Sequence, residues 1–154
     1  MNIQTIDENI EELLNILDNE NYDNIVKYTN ASIKKQKNKI LQELGLNRSL
    51  LKQMHSKLEE YRYISDLSDL RYGSYIRWIP LKNEDNIYLT NGGIVIDIKI
   101  LDCIHIVCKN NRNFIIQFKF DEALIFQKIS DQEYVILNIL DYLKKNNIQL
   151  NSDK

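Results

Sequence analysis

The spacing of apolar residues changes once along this chain, and the position of that change constrains the fold more than any other feature. Before Arg71, apolar side chains recur every three or four residues, which is typical of amphipathic helices. After Arg71 they alternate with other residues, which is typical of half-buried strands. The sequence therefore predicts an α+β protein in which helices come first and a sheet follows.

The N-terminal helical part is predicted over 1–65. Its first helix begins at Thr5, whose side chain forms a capping box with Glu8. A second helix is predicted over 23–44 and ends at Gly45, because glycine readily adopts the left-handed conformation that closes many helices.

Two more helices are predicted, one before and one after the sheet. The earlier one begins at Asn47 or Ser49, and its apolar spacing continues to Tyr61. Because only a short break separates it from the helix before it, we expect the two to form an antiparallel hairpin. The later helix is predicted over 130–147 and opens with a second capping box at Ser130.

Strand faces are predicted from alternation between 71 and 129. In 94–100 and 114–120, large apolar side chains occupy every second position, so one face of each strand should be buried. The residues expected on these buried faces are Ile94, Ile96, Ile98, Ile100, Phe114, Ile116, Phe118 and Phe120. A strand is also predicted at 75–79. The same alternation places Tyr75, Arg77 and Ile79 on one of its faces and Ile76 and Trp78 on the other.

The remaining strands and turns complete the predicted sheet. Asn91-Gly92-Gly93 is a hairpin-turn signal, because a type I′ turn needs positive φ at both central positions, and it would join strands at 87–90 and 94–100. Further strands are predicted at 104–108 and, as a short segment, at 123–129. Four or five short strands with tight turns predict a small antiparallel β-barrel, SH3-like or OB-like, or a bent meander.

We expect one composite domain covering 1–154, because the chain contains no internal repeat and no linker rich in Gly, Pro or Ser. Within it, the helical part covers 1–65, the β-barrel part 71–129 and the C-terminal helix 130–147. With 154 residues and a hydrophobic fraction of 44%, the chain is long enough to bury a core. A net charge of -2 is too small to favour disorder.

The sequence also predicts the compartment. No apolar stretch reaches the length of a transmembrane helix, and 1–12 lacks the basic and apolar regions of a signal peptide. Cys103 and Cys108 lie on one predicted strand, about 16 Å apart, which is too far for a disulfide. We expect reduced thiols in the cytoplasm or another reducing compartment, a viral factory included. Abundant Ile and Asn indicate an A/T-rich genome, such as that of a large DNA virus.

The segment 61–78, called here the Arg/Tyr/Trp segment, is the first candidate site. It holds three of the five arginines, four of the nine tyrosines and the only tryptophan. These residue types dominate protein-binding hot spots, and they also stack on nucleic-acid bases. The predicted partner-binding residues are Arg71, Tyr72, Tyr75, Arg77 and Trp78. The alternative is that they pack structurally between the helices and the barrel.

The segment 25–57, called here the basic hairpin, is the second candidate site. It holds eight basic residues and one acidic residue, Glu43, and a basic helix face can follow a phosphate backbone. The predicted nucleic-acid-binding residues are Lys34, Lys35, Lys39, Arg48 and Lys52. The alternative is that the acidic residues of 1–24 neutralise this charge within the fold.

No catalytic, cofactor or metal motif is predicted. Cys103 and His105 share a strand face, but Cys108 points to the other face, so the three cannot converge on a tetrahedral zinc ion. We expect Cys108 to be a buried apolar residue. There is no glycine-rich phosphate loop, because Gly92 and Gly93 belong to a predicted hairpin turn that no helix follows.

These features favour a non-catalytic adaptor that docks a protein partner within a larger intracellular assembly. The alternative is a nucleic-acid-binding protein that uses the basic hairpin and the Arg/Tyr/Trp segment. A small enzyme ranks third, because the search for catalytic groups fails. No membrane association is expected, and the sequence does not predict the oligomeric state.

Overall fold

A computed structural model describes residues 25–146 together with Glu8 and Glu11. The first predicted helix, which begins at Thr5, therefore lies outside the described residues except at those two positions. The same holds for the other acidic residues of 1–24. The chain forms two compact units, one made of residues 36–129 and the other of the residues on either side.

The described part contains three α-helices. Helix α1 covers Asn30–Gln42, α2 covers Arg48–Lys57 and α3 covers Asp131–Lys145. Helix α1 begins later than predicted because Thr29 and Ser32 form a reciprocal cap, in which each backbone N–H donates to the other side chain, at 2.8 and 3.0 Å.

The ends of the other helices follow the predicted capping chemistry. Asn47 and not Ser49 caps α2, since its Oδ1 accepts from the N–H of Leu50 at 2.8 Å. Ser130 opens α3 with the predicted capping box, in which Glu133 returns the hydrogen bond. Gly45, at φ 65°, lies in the break between α1 and α2 as expected.

The unit made by the two ends of the chain has its own buried residues. A short 3-10 turn at Ile25–Lys27 packs on α3. Apolar side chains of the turn, the start of α1 and α3 are buried here: Ile25, Ile33, Ile136, Leu137, Ile139 and Leu143. The Nδ2 of Asn30 also donates to Asp141 at 2.7 Å, which ties the start of α1 to α3.

The sheet of the 36–129 unit has six antiparallel strands. They are β1 Tyr61–Ile64, β2 Tyr75–Pro80, β3 Gly93–Ile100, β4 Ile104–Lys109, β5 Ile115–Lys119 and β6 Ala123–Lys128. The strand order is β1-β6-β2-β3-β4-β5, and the sheet is open. The α+β class is confirmed, whereas the predicted closed barrel of four or five strands is wrong.

Residues 61–64 form strand β1, although the apolar spacing predicts that the helix before them continues to Tyr61. Helix α2 ends at Lys57, and Tyr61 pairs with Lys128 of β6. The ammonium group of Lys37, a buried residue of α1, holds the connection that follows the helix: it donates to the carbonyl oxygens of Leu58, Glu59 and Tyr61 at 2.8 to 3.3 Å. These bonds give the carbonyl groups between α2 and β1 a partner.

The sheet curves strongly between β2 and β5. In a flat sheet, three strand spacings would separate these strands by about 14 Å. Instead the rings of Trp78 on β2 and Phe118 on β5 stack with centroids 4.4 Å apart. The concave side therefore encloses a core to which all six strands contribute side chains. Ile64, Ile106 and Ile125 are among the buried residues of this core.

Two glycines form the corner of this curve. Strands β2 and β3 pair only through Tyr75–Ile94 and Ile76–Gly93. A side chain on Gly92, at φ 87°, would collide with the carbonyl oxygen of Ile76. A Cβ on Gly93 would lie 2.8 Å from the carbonyl oxygen of Lys109, so both positions require glycine.

The predicted hairpin between 87–90 and 94–100 is wrong. Residues 87–90 do not form a strand, and β3 leaves β2 after two residue pairs. Thr90 replaces β3 as the neighbour of Trp78 on β2. Its N–H donates to the carbonyl oxygen of Trp78 at 2.9 Å, and its hydroxyl accepts from the N–H of Trp78 at 3.1 Å.

The predicted buried face of β3 is wrong at Ile94, Ile96 and Ile100, the last of which is 72% exposed. Ile94 and Ile96 are 45% and 43% exposed, whereas Val95 is 1% exposed. The register shifts between Val95 and Asp97, and this bulge brings Ile98 back toward the concave core. A bulge changes the face of every residue that follows it, so alternation alone assigns the wrong side.

The opposite face of the sheet is covered by the helical hairpin. Leu41, Met54 and Leu58 of the helices pack with Ile79 and Phe126 of the sheet. Ile79 thus lies across the sheet from Ile76 and Trp78, as its alternation predicted. On β5 the predicted faces also hold, except that Phe114, just before the strand, is 63% exposed.

Replacing Phe118 with alanine should lower the free energy of unfolding by about 3 kcal/mol, because it removes the ring that stacks on Trp78 and leaves a cavity. The matched control is Phe114→Ala, whose ring is 63% exposed and whose loss should cost less than about 1 kcal/mol. Urea denaturation followed by tryptophan fluorescence measures both values. Equal losses would contradict the structure, because they would mean that the ring of Phe114 is packed as closely as that of Phe118.

Candidate functional site

The structure divides the predicted partner-binding residues into buried and exposed ones. Trp78 is 4% exposed and belongs to the concave core, so little of its ring is open to a protein partner. Its neighbours on β2 have structural partners: Arg77 donates to the carbonyl oxygen of Thr90 at 2.8 Å, and the hydroxyl of Tyr75 to that of Asn91 at 2.6 Å. Tyr72, at 63%, is the exposed aromatic residue of the set.

A buried glutamine positions the loop that carries Arg71 and Tyr72. Gln127 of β6 is fully buried, and its Oε1 accepts from the N–H of Arg71 at 3.0 Å and from the hydroxyl of Ser74 at 2.8 Å. Its Nε2 donates to the carbonyl oxygen of Asp69 at 3.0 Å. Arg71 is half-buried, whereas Tyr72 beside it is 63% exposed.

A cleft of about 560 Å³ opens beside Trp78, and sequence reasoning missed it. It lies between the 88–92 segment and the turn at 110–112, with parts of β2 and β5 in its wall. Its lining residues are Trp78, Tyr88, Thr90, Asn91, Gly92, Asn110, Asn111, Arg112, Phe114 and Ile116. This volume falls within the range of small-molecule sites, about 300–1,000 Å³.

The turn that forms one wall of the cleft is held by Asn110. Its Oδ1 accepts from the N–H groups of Arg112 at 3.0 Å and Phe114 at 2.9 Å, and Asn113 takes φ 64°. This geometry leaves Arg112 and Phe114 exposed at the cleft. The run of asparagines in 110–113 was a signal for the turn, but not for the cleft.

A second exposed surface lies on the outer face of β3, β4 and β5. Ile94 pairs with Lys109, which pairs with Ile115, so an exposed lysine lies between two exposed isoleucines. Lys99, His105 and Lys119 form a parallel row farther along. The surface combines apolar and basic groups, and β5 forms its open edge.

The predicted nucleic-acid-binding residues are all exposed. Lys34, Lys35 and Lys39 lie on α1, and Arg48 and Lys52 lie on α2. Lys37, another of the eight basic residues of the basic hairpin, is 6% exposed, and its ammonium group donates to the carbonyl oxygen of Leu58. Most of the acidic residues of 1–24, which in the alternative interpretation neutralise the basic hairpin, lie outside the described residues.

The two cysteines have different environments, as the strand geometry predicted. Cys103 is half-buried, and its Sγ lies 3.2 Å from the Nε2 of His105 on the same face. Cys108 is fully buried, and burial raises the pKa of its thiol to about 12. Within the part of the chain that the structure describes, no three His, Cys, Asp or Glu side chains are grouped as metal ligands would be.

None of the helices in residues 25–146 has the length and apolar character that a membrane crossing requires. Comparison with protein-family models, curated proteins and solved structures found no match to this chain.

The native protein should expose one reactive thiol and not two. At about pH 8, Cys103 should react with iodoacetamide, whereas Cys108 should stay unmodified because its buried thiol remains protonated below a pKa of about 12. Mass spectrometry of digested protein locates the label, and guanidinium-unfolded protein provides the control in which both react. Rapid native labelling of Cys108 would show that the concave core opens readily.

Proposed function

We propose that this protein is a non-catalytic adaptor in a larger intracellular assembly, and that a protein partner docks along the edge of β5. The observation that carries the proposal is the edge itself. Strand β5 ends the sheet order and pairs with β4 alone among the described strands. Ile115, on the outer face beside this edge, is 67% exposed. An exposed apolar edge favours the addition of another strand.

The backbone of β5 supplies the hydrogen-bonding groups. In an antiparallel pair, successive residues direct these groups alternately toward the partner strand and away from it. The N–H of Asn110 donates to the carbonyl oxygen of Phe114 at 3.0 Å, so Phe114 and every second residue after it face β4. Ile115, Gln117 and Lys119 therefore direct their N–H and C=O groups to the open side, where an extended polypeptide would pair with them.

The side chains beside the edge define the chemistry of the partner. Strands β3, β4 and β5 carry Lys99, Lys109 and Lys119 but one carboxylate, Asp97. Lys119 lies 3.8 Å from Glu122, so Lys109, between two isoleucines, is the better-placed cation for a partner. We infer that the partner segment alternates apolar and acidic side chains.

Selection of random peptides of about ten residues on the purified protein should enrich such alternating apolar and acidic segments. Gln117→Pro should abolish binding of a selected peptide, because proline removes an N–H that faces the open side and leaves the bonds to β4 intact. The control, Gln117→Ala, should bind within about twofold of the original protein.

Hydrogen exchange provides the structural readout. The bound peptide should protect the amides of Ile115, Gln117 and Lys119. Three outcomes would contradict strand addition at β5. They are equal binding of the peptide by Gln117→Pro and Gln117→Ala, protection of amides confined to other strands, and a selection that enriches no peptide.

A second candidate function is nucleic-acid binding by the basic hairpin, and the exposure of its five predicted residues favours it. Charge reversal of Lys34, Lys35 and Lys39 to Glu should weaken binding of a duplex oligonucleotide and flatten its dependence on salt, because fewer counterions are released. Fluorescence anisotropy over a salt series measures both effects. An original protein that binds no duplex at ~50 mM salt would eliminate this function, since phosphate contacts are strongest there.

A further inference from the structure

We propose that the cleft beside Trp78 binds a short segment of single-stranded nucleic acid, with bases stacked on Tyr88 and Phe114 and a phosphate at Arg112. This site is separate from the basic hairpin and from the β5 edge, and the proposal goes beyond the adaptor function. It is carried by three properties of the lining residues: exposed aromatic rings, side-chain amides and an uncompensated cation.

The aromatic rings are placed for stacking and not for the core. Phe114 is 63% exposed and Tyr88 is 48% exposed, although both are large apolar side chains. They line the cleft from two different segments, Phe114 from the end of the turn held by Asn110 and Tyr88 from the stretch before Thr90. Stacking on exposed aromatic side chains is the usual way in which proteins hold unpaired bases, and it tolerates any base.

The polar lining suits the edges of bases. Asn91 and Asn111 are exposed at the cleft, and each amide offers both a donor and an acceptor. Bases present the same mixture of donors and acceptors on their Watson–Crick edges. By contrast, the side chains of Asn110 and Thr90 already accept backbone hydrogen bonds within the wall, so they shape the cleft.

The charge of the cleft favours an anion. Of its ten lining residues, Arg112 is the one with a formal charge. The surrounding 36–129 unit holds 14 Lys and Arg residues against 11 Asp and Glu, whereas the whole chain holds 20 against 22. A ligand with planar rings and a negatively charged backbone matches this combination, and the volume of about 560 Å³ suits one or two nucleotides.

The test uses a fluorescein-labelled single-stranded oligonucleotide of about eight nucleotides at ~50 mM salt, with binding measured by anisotropy. Binding should also change the fluorescence of Trp78, the only tryptophan and a lining residue. Tyr88→Ala and Phe114→Ala should each weaken binding about tenfold. Arg112→Ala should weaken it and lower the slope of log Kd against log salt by about one.

Two variants serve as matched controls. Tyr72→Ala removes an equally exposed tyrosine outside the cleft and should leave affinity unchanged. The triple variant of Lys34, Lys35 and Lys39 to Glu should retain the Trp78 response, because these lysines do not line the cleft. Thermal unfolding of each variant is the folding control. The melting temperature should stay unchanged, because the replaced side chains are exposed.

Several outcomes would overturn the proposal. No binding at ~50 mM salt would exclude it, as would binding that the triple lysine variant loses and the cleft variants keep. Mononucleotides that bind as tightly as the oligonucleotide would assign the cleft to a free nucleotide. An oligoglutamate peptide that competes equally, and is affected by the same cleft variants, would assign it to an acidic polypeptide.

Discussion

The stacking of Trp78 on Phe118 is the contact on which the sheet's shape depends. It joins strands that hydrogen bonding alone would leave about 14 Å apart, so the sheet must curve until β5 faces β2. Curvature then lets side chains from six short strands share one core. A flat sheet of this length would leave one face uncovered, because the helical hairpin packs on the other.

The corner at Gly92 and Gly93 makes this curvature feasible and also creates the cleft. Strand β3 can leave β2 after two residue pairs because neither glycine has a side chain to collide with the nearby backbone. Thr90 satisfies the hydrogen-bonding groups of Trp78 that β3 no longer reaches. The segment that carries Tyr88 is thereby held against β2, and it forms one wall of the cleft.

Local patterns predicted much of the architecture and little of the candidate site. The change of apolar period gave the order of helices and sheet, and capping residues gave the starts of α2 and α3. Strand β1 was missed because Tyr61 extends the helical spacing of α2, and its pairing with β6 joins residues far apart in sequence. The bulge in β3 places Ile94 and Ile96 on the face opposite to the predicted one, since alternation carries no information about an inserted residue.

The differences between the predicted and the observed exposure of aromatic side chains have the same physical origin. Trp78 has the residue type of a hot spot, but its partner is Phe118, forty residues later in the chain, and no local pattern reveals that contact. Phe114 has the residue type of a core, but the turn held by Asn110 leaves it at the cleft. Residue type thus does not predict which aromatic residues of this protein remain exposed, because long-range packing decides it.

The two proposed surfaces use different groups of the same strand. Phe114 and Ile116 line the cleft, whereas Ile115 between them lies in the outer row with Lys109. A base in the cleft would stack on the ring of Phe114, whereas a polypeptide on the β5 edge would bond to the backbone of Ile115, Gln117 and Lys119. Both would still depend on the same backbone, since the Asn110 turn fixes Phe114 and the start of β5 together. An adaptor built this way would hold a protein and a nucleic acid a few ångströms apart through one β-hairpin.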